Sequence, residues 1–342
     1  MWGWRHIYWV VMIFPADAPP IKNDKHHASV TAPIMIRCGY SPRLAAGAIA
    51  AGGTLGILVP PSVMLIVMGP VLGVSVAKLY AAAFGPGFLL AGLYIVYLII
   101  RCQINPKLGP PIPKEERITD AKILLKEVFF GMVPLGLLIT ATLGSILGGL
   151  ATPTEAASMG ATGSVLLAIG YRKLTWEKFR IAAIGTLQTS SMVIFLGVAS
   201  NVFGAVFARL GSADLMTRTL LALQVSPFIM LLVLMALIFL LGWPFEWPAI
   251  IYLFLPIMMP IILAMKYDLV WFGILVAVNL QTAFLSPPVA MSAYYLKAVV
   301  PEWDLKTIYG GMMEFMVLQV IALAVLMFFP EIAIWFPKYL FD

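Results

Sequence analysis

The sequence predicts an all-α polytopic membrane protein. Two features of composition point there first. Of 342 residues, 61% are hydrophobic and 11% charged, and the mean hydropathy is +0.97. A water-soluble domain carries about 25% charged residues, so a soluble fold of this composition has too little polar surface to cover itself. The third feature is the pattern: long apolar runs alternate with short polar, basic segments. A cytosolic enzyme, a disulfide-stapled secreted domain and a disordered chain are excluded. At about 20 apolar residues per span, roughly 209 hydrophobic residues (61% of 342) set a ceiling of about ten spans.

The elements follow in order. Residues 1–14 are apolar and aromatic, but the run from Ile7 is too short to span, and PADAPPIKNDKHH then turns polar. Residues 42–69 are long enough to cross once, yet Gly52-Gly53, Gly56 and Pro60-Pro61 interrupt them. Proline lacks an N–H and glycine weakens a helix, so two half-helices meeting at an extended break are expected. Residues 79–101 read as a clean span. Residues 102–127 read as a polar loop, and the six bases from Arg101 to Lys126 make it cytoplasmic. Spans at 128–150 and 155–170 follow, turning at LATPTEAA, before a second basic loop around Arg172–Arg180. Residues 181–208, 219–242, 249–265 and 270–296 are apolar, the last broken by SPP. Residues 308–329 form the last full span, and Trp335–Tyr339 an interfacial aromatic anchor.

The net charge of +6 reads as positive-inside loops rather than a nucleic-acid surface, since no block of like charges is present. Cys38 and Cys102 are too few for a disulfide framework. His6, His26 and His27 lie near the start with no second cluster to complete a metal site.

One internal repeat organises the chain. GGTLGILVPPSVMLIVMG (Gly52–Gly69) resembles NLQTAFLSPPVAMSAYYL (Asn279–Leu296). Each has a threonine (Thr54, Thr282), a few apolar residues, a proline pair (Pro60-Pro61, Pro287-Pro288) and a second apolar half-helix. Pro288 minus Pro61 gives an offset of 227, and SVAKLY (Ser75–Tyr80) is echoed by DLKTIY (Asp304–Tyr309). Broken helices survive in hydrocarbon only where protein or a wet cavity receives their backbone. Freed carbonyls then replace water around a cation, and a half-helix N-terminus faces a carboxylate. Paired Gly/Pro-interrupted segments point to a transporter's site; the plainer reading is two Pro-kinked spans.

Glu155 and Glu246 stand among apolar residues, where a carboxylate is expensive. Glu155 follows TPT and reads equally as part of a helix cap. Glu246, within GWPFEWP, is either an interfacial acid beside an aromatic belt or a cavity residue. Asn201 and Asn279 are helix–helix glue or ligands.

Three stretches carry a family resemblance: RCGYSPRLAAGAIAAGGTLGILVPPS (Arg37–Ser62), GGLATPTEAASMGA (Gly148–Ala161) and NLQTAFLSPPVAMSAYYL (Asn279–Leu296). With them the chain, over residues 28–337, resembles the large permease subunit of tripartite ATP-independent periplasmic (TRAP) transporters. The wording of LGWPFEWPAI and SPPVAMSAYYLKAV is similar to the subgroup labelled mannitol/chloroaromatic compound type. The resemblance implies an elevator-type fold of two inverted repeats, each with a helical hairpin and a broken helix, in the bacterial inner membrane. It implies import of organic acids driven by Na+ as coupling ion, with no other cofactor. It also implies two partners, a small four-helix membrane subunit and a periplasmic substrate-binding protein. By position, the first break offers Na+ the carbonyls of Gly56, Val59 and Pro61 beside Thr54. The second offers Ala283, Ser286 and Pro288 with Thr282 and Asn279 nearby, and Glu246 lines the site.

Family members carry a longer N-terminal portion, including a Ser/Gly-rich broken segment, where this chain has PADAPPIKNDKHH. The expected organisation is therefore an atypical segment at 1–27, the remainder of the first repeat at 28–127, connecting spans and the second repeat at 128–337, and a tail at 338–342. An inactive remnant lacking the N-terminal helices shares every motif with a working permease. A membrane-embedded enzyme fits less well: the histidines all precede residue 28, and the two deep acids lie far apart.

Overall fold

In the computed structural model, residue 32 and residues 35–110, 121–287 and 290–341 are described. The opening segment 1–27 with its histidines, and Pro288 of the second break, lie outside them. Every regular element among the described residues is helical. Among the described residues five helices are long and apolar enough to cross a membrane, or six with one bent pair.

The repeat read from the sequence is a repeat of structure. Helix α1 (Pro42–Leu58) opens with proline in its first turn, and stops where Pro60-Pro61 withhold their donors. Helix α2 (Val63–Leu72) is capped by Ser62, whose side chain accepts from Leu65 N at 3.4 Å, and closes on Gly73 at φ 68°. The two pieces bend by 42° at the break. Helix α3 (Val76–Ile104) then runs 29 residues. Further along, α10 (Leu269–Leu285) is capped by Asp268 accepting from Trp271 N at 2.8 Å. The chain then breaks at Ser286-Pro287, re-forms as α11 (Met291–Val299), and turns at Asp304 into α12 (Leu305–Phe328). The lengths run 17, 10 and 29 residues in the first set and 17, 9 and 24 in the second.

Between the two sets lie α4 (Ala121–Leu147), α5 (Pro153–Gly170), α6 (Trp176–Arg209), α7 (Ser212–Ala222), α8 (Pro227–Leu241) and α9 (Trp247–Ala264); α13 (Glu331–Phe341) ends the chain. Helix α9 carries one π turn, Ile250–Phe254. Three expectations change. The polar loop ends by residue 120, because Lys122 and Lys126 already belong to α4. Residues 219–242 are not one span: Gln224 takes a φ of 49°, Ser226 caps a new helix, and Pro227 starts it. At 15 residues and about 1.5 Å each, α8 is about 22 Å long, short of the roughly 30 Å of hydrocarbon. Residues 155–170 lie in α5, which at 18 residues is long enough but too polar to count as a span. Its Ser158, Thr162 and Ser164 hydroxyls bond back to the helix's own carbonyls.

The chain divides into two units, residues 1–110 with 193–342, and residues 111–192. In the second unit α4 packs along α5, with Gly163 against Leu138 and Gly160 against Thr142. In the first unit one apolar core joins both breaks. Ala51 and Leu55 of α1, Leu285 of α10, Ala290, Ala293 and Leu296 beside and in α11, and Phe315 of α12 belong to it. Helix α10 is the centre: every residue from Trp271 to Thr282 is buried. Gly273 admits α2 and α3 so closely that a Cβ there would meet Leu72 at 2.7 Å.

Helices α1 and α12 touch backbone to backbone. A Cβ on Gly311 would fall 1.9 Å from Arg43 O, and one on Gly47 would fall 2.5 Å from Gly311 O. Small residues permit such approaches, and inside a bilayer close packing is the main attraction between helices.

Candidate functional site

The site begins with what proline withholds. In an α-helix the carbonyl of residue i accepts from the N–H of residue i+4. Pro60 has no N–H, so the Gly56 carbonyl loses its helical donor; Pro61 does the same to Ile57, and Pro287 to Ala283. The Ile57 carbonyl is reclaimed by the Ser62 hydroxyl, which donates to it. Gly56 and Ala283 are repeat equivalents, since 283 minus 56 is again 227. Both are half-buried. Each break thus takes the helical donor from a carbonyl at the same point of a 17-residue helix.

At the first break, Val59 is half-buried, Pro60 buried and Pro61 exposed. The segment is braced by α3. The Tyr80 hydroxyl donates to Ser62 O at 3.2 Å. Gly87 leaves room for Val59, whose Cγ2 lies 2.9 Å from where a Cβ would stand. Tyr94 reaches the level of Thr54. These three residues are spaced by seven, so they share one face of α3. Thr54 is buried and donates to Ala51 O at 2.9 Å.

At the second break, Thr282 repeats this habit by donating to Asn279 O at 2.6 Å. Asn279 Nδ2 donates to Met235 O of α8 at 2.7 Å, so this amide ties two helices. Its Oδ1 has no partner among the described residues, and neither has the Ser286 hydroxyl. Gly242, closing α8, packs on Ala283: a Cβ at Gly242 would lie 2.7 Å from that of Ala283. The turn leading to Glu246 therefore starts against the freed carbonyl's residue. Glu246 is exposed, caps no helix with its side chain, and is close enough to Tyr295 of α11 to act on it electrostatically. The sequence-named residues Asn279, Thr282, Ala283 and Ser286 are gathered here with the start of the Glu246 turn. Pro288 lies outside the described residues.

Several polar residues escaped the sequence reading. Gln281 is 0% exposed, and both its amide atoms lack partners among the described residues. It stands 227 positions from Thr54, so the repeat itself marked it. Gln319 of α12, also 0% exposed, donates from Nε2 to Thr54 Oγ1 at 3.0 Å. The Tyr94 hydroxyl faces both side chains without hydrogen-bond geometry to either. Gln319 was visible as a lone amide inside an apolar run, and Gln281 as the amide two residues after Asn279.

Glu314 was also missed. Its carboxylate receives Arg43 at 2.8 Å, Arg101 at 3.5 Å and the Tyr97 hydroxyl, joining α1, α3 and α12. The arginine side chains are 56% and 41% exposed, so water weakens these attractions. Glu155 resolves as a cap. Thr152 Oγ1 accepts from Glu155 N at 3.3 Å, and the Glu155 carboxylate accepts from Thr152 N at 2.8 Å. Asn201 turns to its own helix, donating to Gly197 O at 2.9 Å.

With this geometry in view, residues 26–332 match the family described as "Tripartite ATP-independent periplasmic transporter, DctM component". The chain is 30% identical over 301 residues to the "Sialic acid TRAP transporter large permease protein SiaM" of Vibrio cholerae, covering 87% of this chain and 68% of that protein. It is 29% identical over 304 residues to the "Sialic acid TRAP transporter permease protein SiaT" of Haemophilus influenzae, covering 88% of this chain and 48% of that protein. The "C4-dicarboxylate TRAP transporter large permease protein DctM" of Pseudomonas aeruginosa is 28% identical over 309 residues, covering 90% of this chain and 70% of that protein.

Proposed function

The chain belongs to the DctM component family of tripartite ATP-independent periplasmic transporters, and we propose that it is the large membrane subunit of a Na+-coupled importer of organic acids. One observation carries the reading: two matching broken helices, each with a carbonyl stripped of its donor by proline, share a single core. Carbonyl oxygens suit a hard monovalent cation, and backbone dipoles without donors inside a bilayer are costly unless something takes their place. Gly56, Val59 and Pro61 serve one Na+, with Thr54 behind them. Ala283, Ser286 and Pro288 serve another, with Asn279 and Thr282. Glu246 lines the substrate side. An elevator motion of paired inverted repeats carries the site across the inner membrane. The names of two relatives refer to sialic acid and C4-dicarboxylates, and this supports a carboxylate as the substrate here. A small membrane subunit and a periplasmic binding protein complete the system.

The test is uptake into proteoliposomes containing the permease, the small subunit and the binding protein, with radiolabelled succinate and sialic acid as probes. Uptake of one of them is expected only under an inward Na+ gradient and only with the binding protein present. Uptake at the same rate with K+ in place of Na+ refutes the coupling, and uptake without the binding protein refutes the tripartite arrangement.

A further inference from the structure

The Thr54 hydroxyl is engaged on both sides. It donates to Ala51 O at 2.9 Å and accepts from Gln319 Nε2 at 3.0 Å. Both residues are sealed from outside, at 2% and 0% exposure. A hydroxyl held this way has little left for a cation. We infer that Gln319 is a positioning residue for the first break, acting through Thr54, and that Thr54 transmits this hold rather than ligating the ion. The inference rests on the reading that the break around Gly56 holds the coupling cation.

The interface shows how the hold works. Gly47 meets Gly311 in backbone contact. Seven residues further along α1 stands Thr54, and eight residues further along α12 stands Gln319. The two contacts progress in the same direction, so the helices run parallel and the second contact lies about two turns beyond the first. The glycine pair sets the distance between the helices. The Gln319–Thr54 bond, direct and buried, then sets the rotation of the last full turn of α1. That turn contains Gly56, whose carbonyl has no helical donor to aim it. A carbonyl that is not aimed by its own helix needs an outside reference, and Gln319 supplies it.

The experiment is 22Na+ binding to the purified permease in lipid nanodiscs, with K+ as the replacing cation. The proteins compared are wild type, Gln319→Leu, Thr54→Val and the double variant. Gln319 acts through Thr54, so losing either partner, or both, removes the same bond, and the two effects do not add. Each single variant is expected to raise the half-saturating Na+ concentration about tenfold, the equivalent of about 1.4 kcal/mol, with the number of sites unchanged, and the double variant is expected to match the singles. An unchanged half-saturation in Gln319→Leu overturns the positioning role. A double variant about tenfold weaker than either single also overturns it, because the two side chains then act separately. Should Gln319→Leu fail to fold, Gln319→Met takes its place in the same comparison. Wild type binding no 22Na+ sinks the underlying cation reading, which separates that failure from failure of the inference alone.

Discussion

Replacing Gly311 with alanine tests the closest contact in the fold. The new Cβ would stand 1.9 Å from Arg43 O, where Cβ contacts under 3.0 Å essentially never occur. Helices α1 and α12 must therefore part by at least about 1.1 Å (3.0 minus 1.9). If that displacement carries two turns on, the 3.0 Å bond from Gln319 to Thr54 opens to about 4 Å, beyond hydrogen-bond range. Forcing a methyl group into a packed interface costs about 1–3 kcal/mol, and a lost buried hydrogen bond adds about 1 kcal/mol. A total of about 3 kcal/mol, at about 2 °C per kcal/mol for a chain of this size, lowers the melting temperature by about 6 °C. The assay is thermal unfolding in detergent followed by tryptophan fluorescence. Gly92→Ala is the control, because nothing lies within 4 Å of a Cβ there. Equal melting temperatures for the two variants would refute the backbone contact, and with it the argument that glycine sets the spacing of α1 and α12.

Restoring a donor should damage the site in the same way at either break. Pro60→Ala gives Gly56 its helical N–H and Pro287→Ala does so for Ala283, so each is expected to weaken 22Na+ binding about tenfold while leaving the protein at least as stable; undiminished binding counts against the carbonyl argument. The two acids separate by role. Glu155→Ala, which removes only a capping carboxylate, leaves Na+-driven uptake near wild type, whereas Glu246→Gln reduces it at least tenfold; equal effects would show that the cap and the Gly242–Trp247 turn had been assigned wrongly.

The broken helices were legible because proline chemistry is local. Pro60 and Pro287 end their helices whatever surrounds them, and the 227-residue offset paired the two breaks before any coordinate did. The Glu155 cap was legible for the same reason, since Thr152 and Glu155 are three residues apart. Gln319 was not, because its partner Thr54 is 265 positions away, and one amide among methionines, leucines and valines looks alike whether it bonds or stands idle. Glu314 was hidden similarly: its arginines come from two other helices. The break between α7 and α8 was missed because the apolar content of residues 219–242 masks a short capping turn at Ser226-Pro227. Hydropathy registers how oily a segment is, while the ends of helices are set by single donors and acceptors.

The seven-residue ladder on α3 has a mechanical consequence. Tyr80 grips the chain just before α2, Gly87 seats Val59, and Tyr94 lies beside the last turns of α1. One stiff rod thus spans the fracture like a splint, with a hold on either side. Swinging α2 away from α1 would tear the Tyr80 hydroxyl from Ser62 and unseat Val59, so the two pieces travel with α3 as one body, and any hinge must lie outside the splinted stretch.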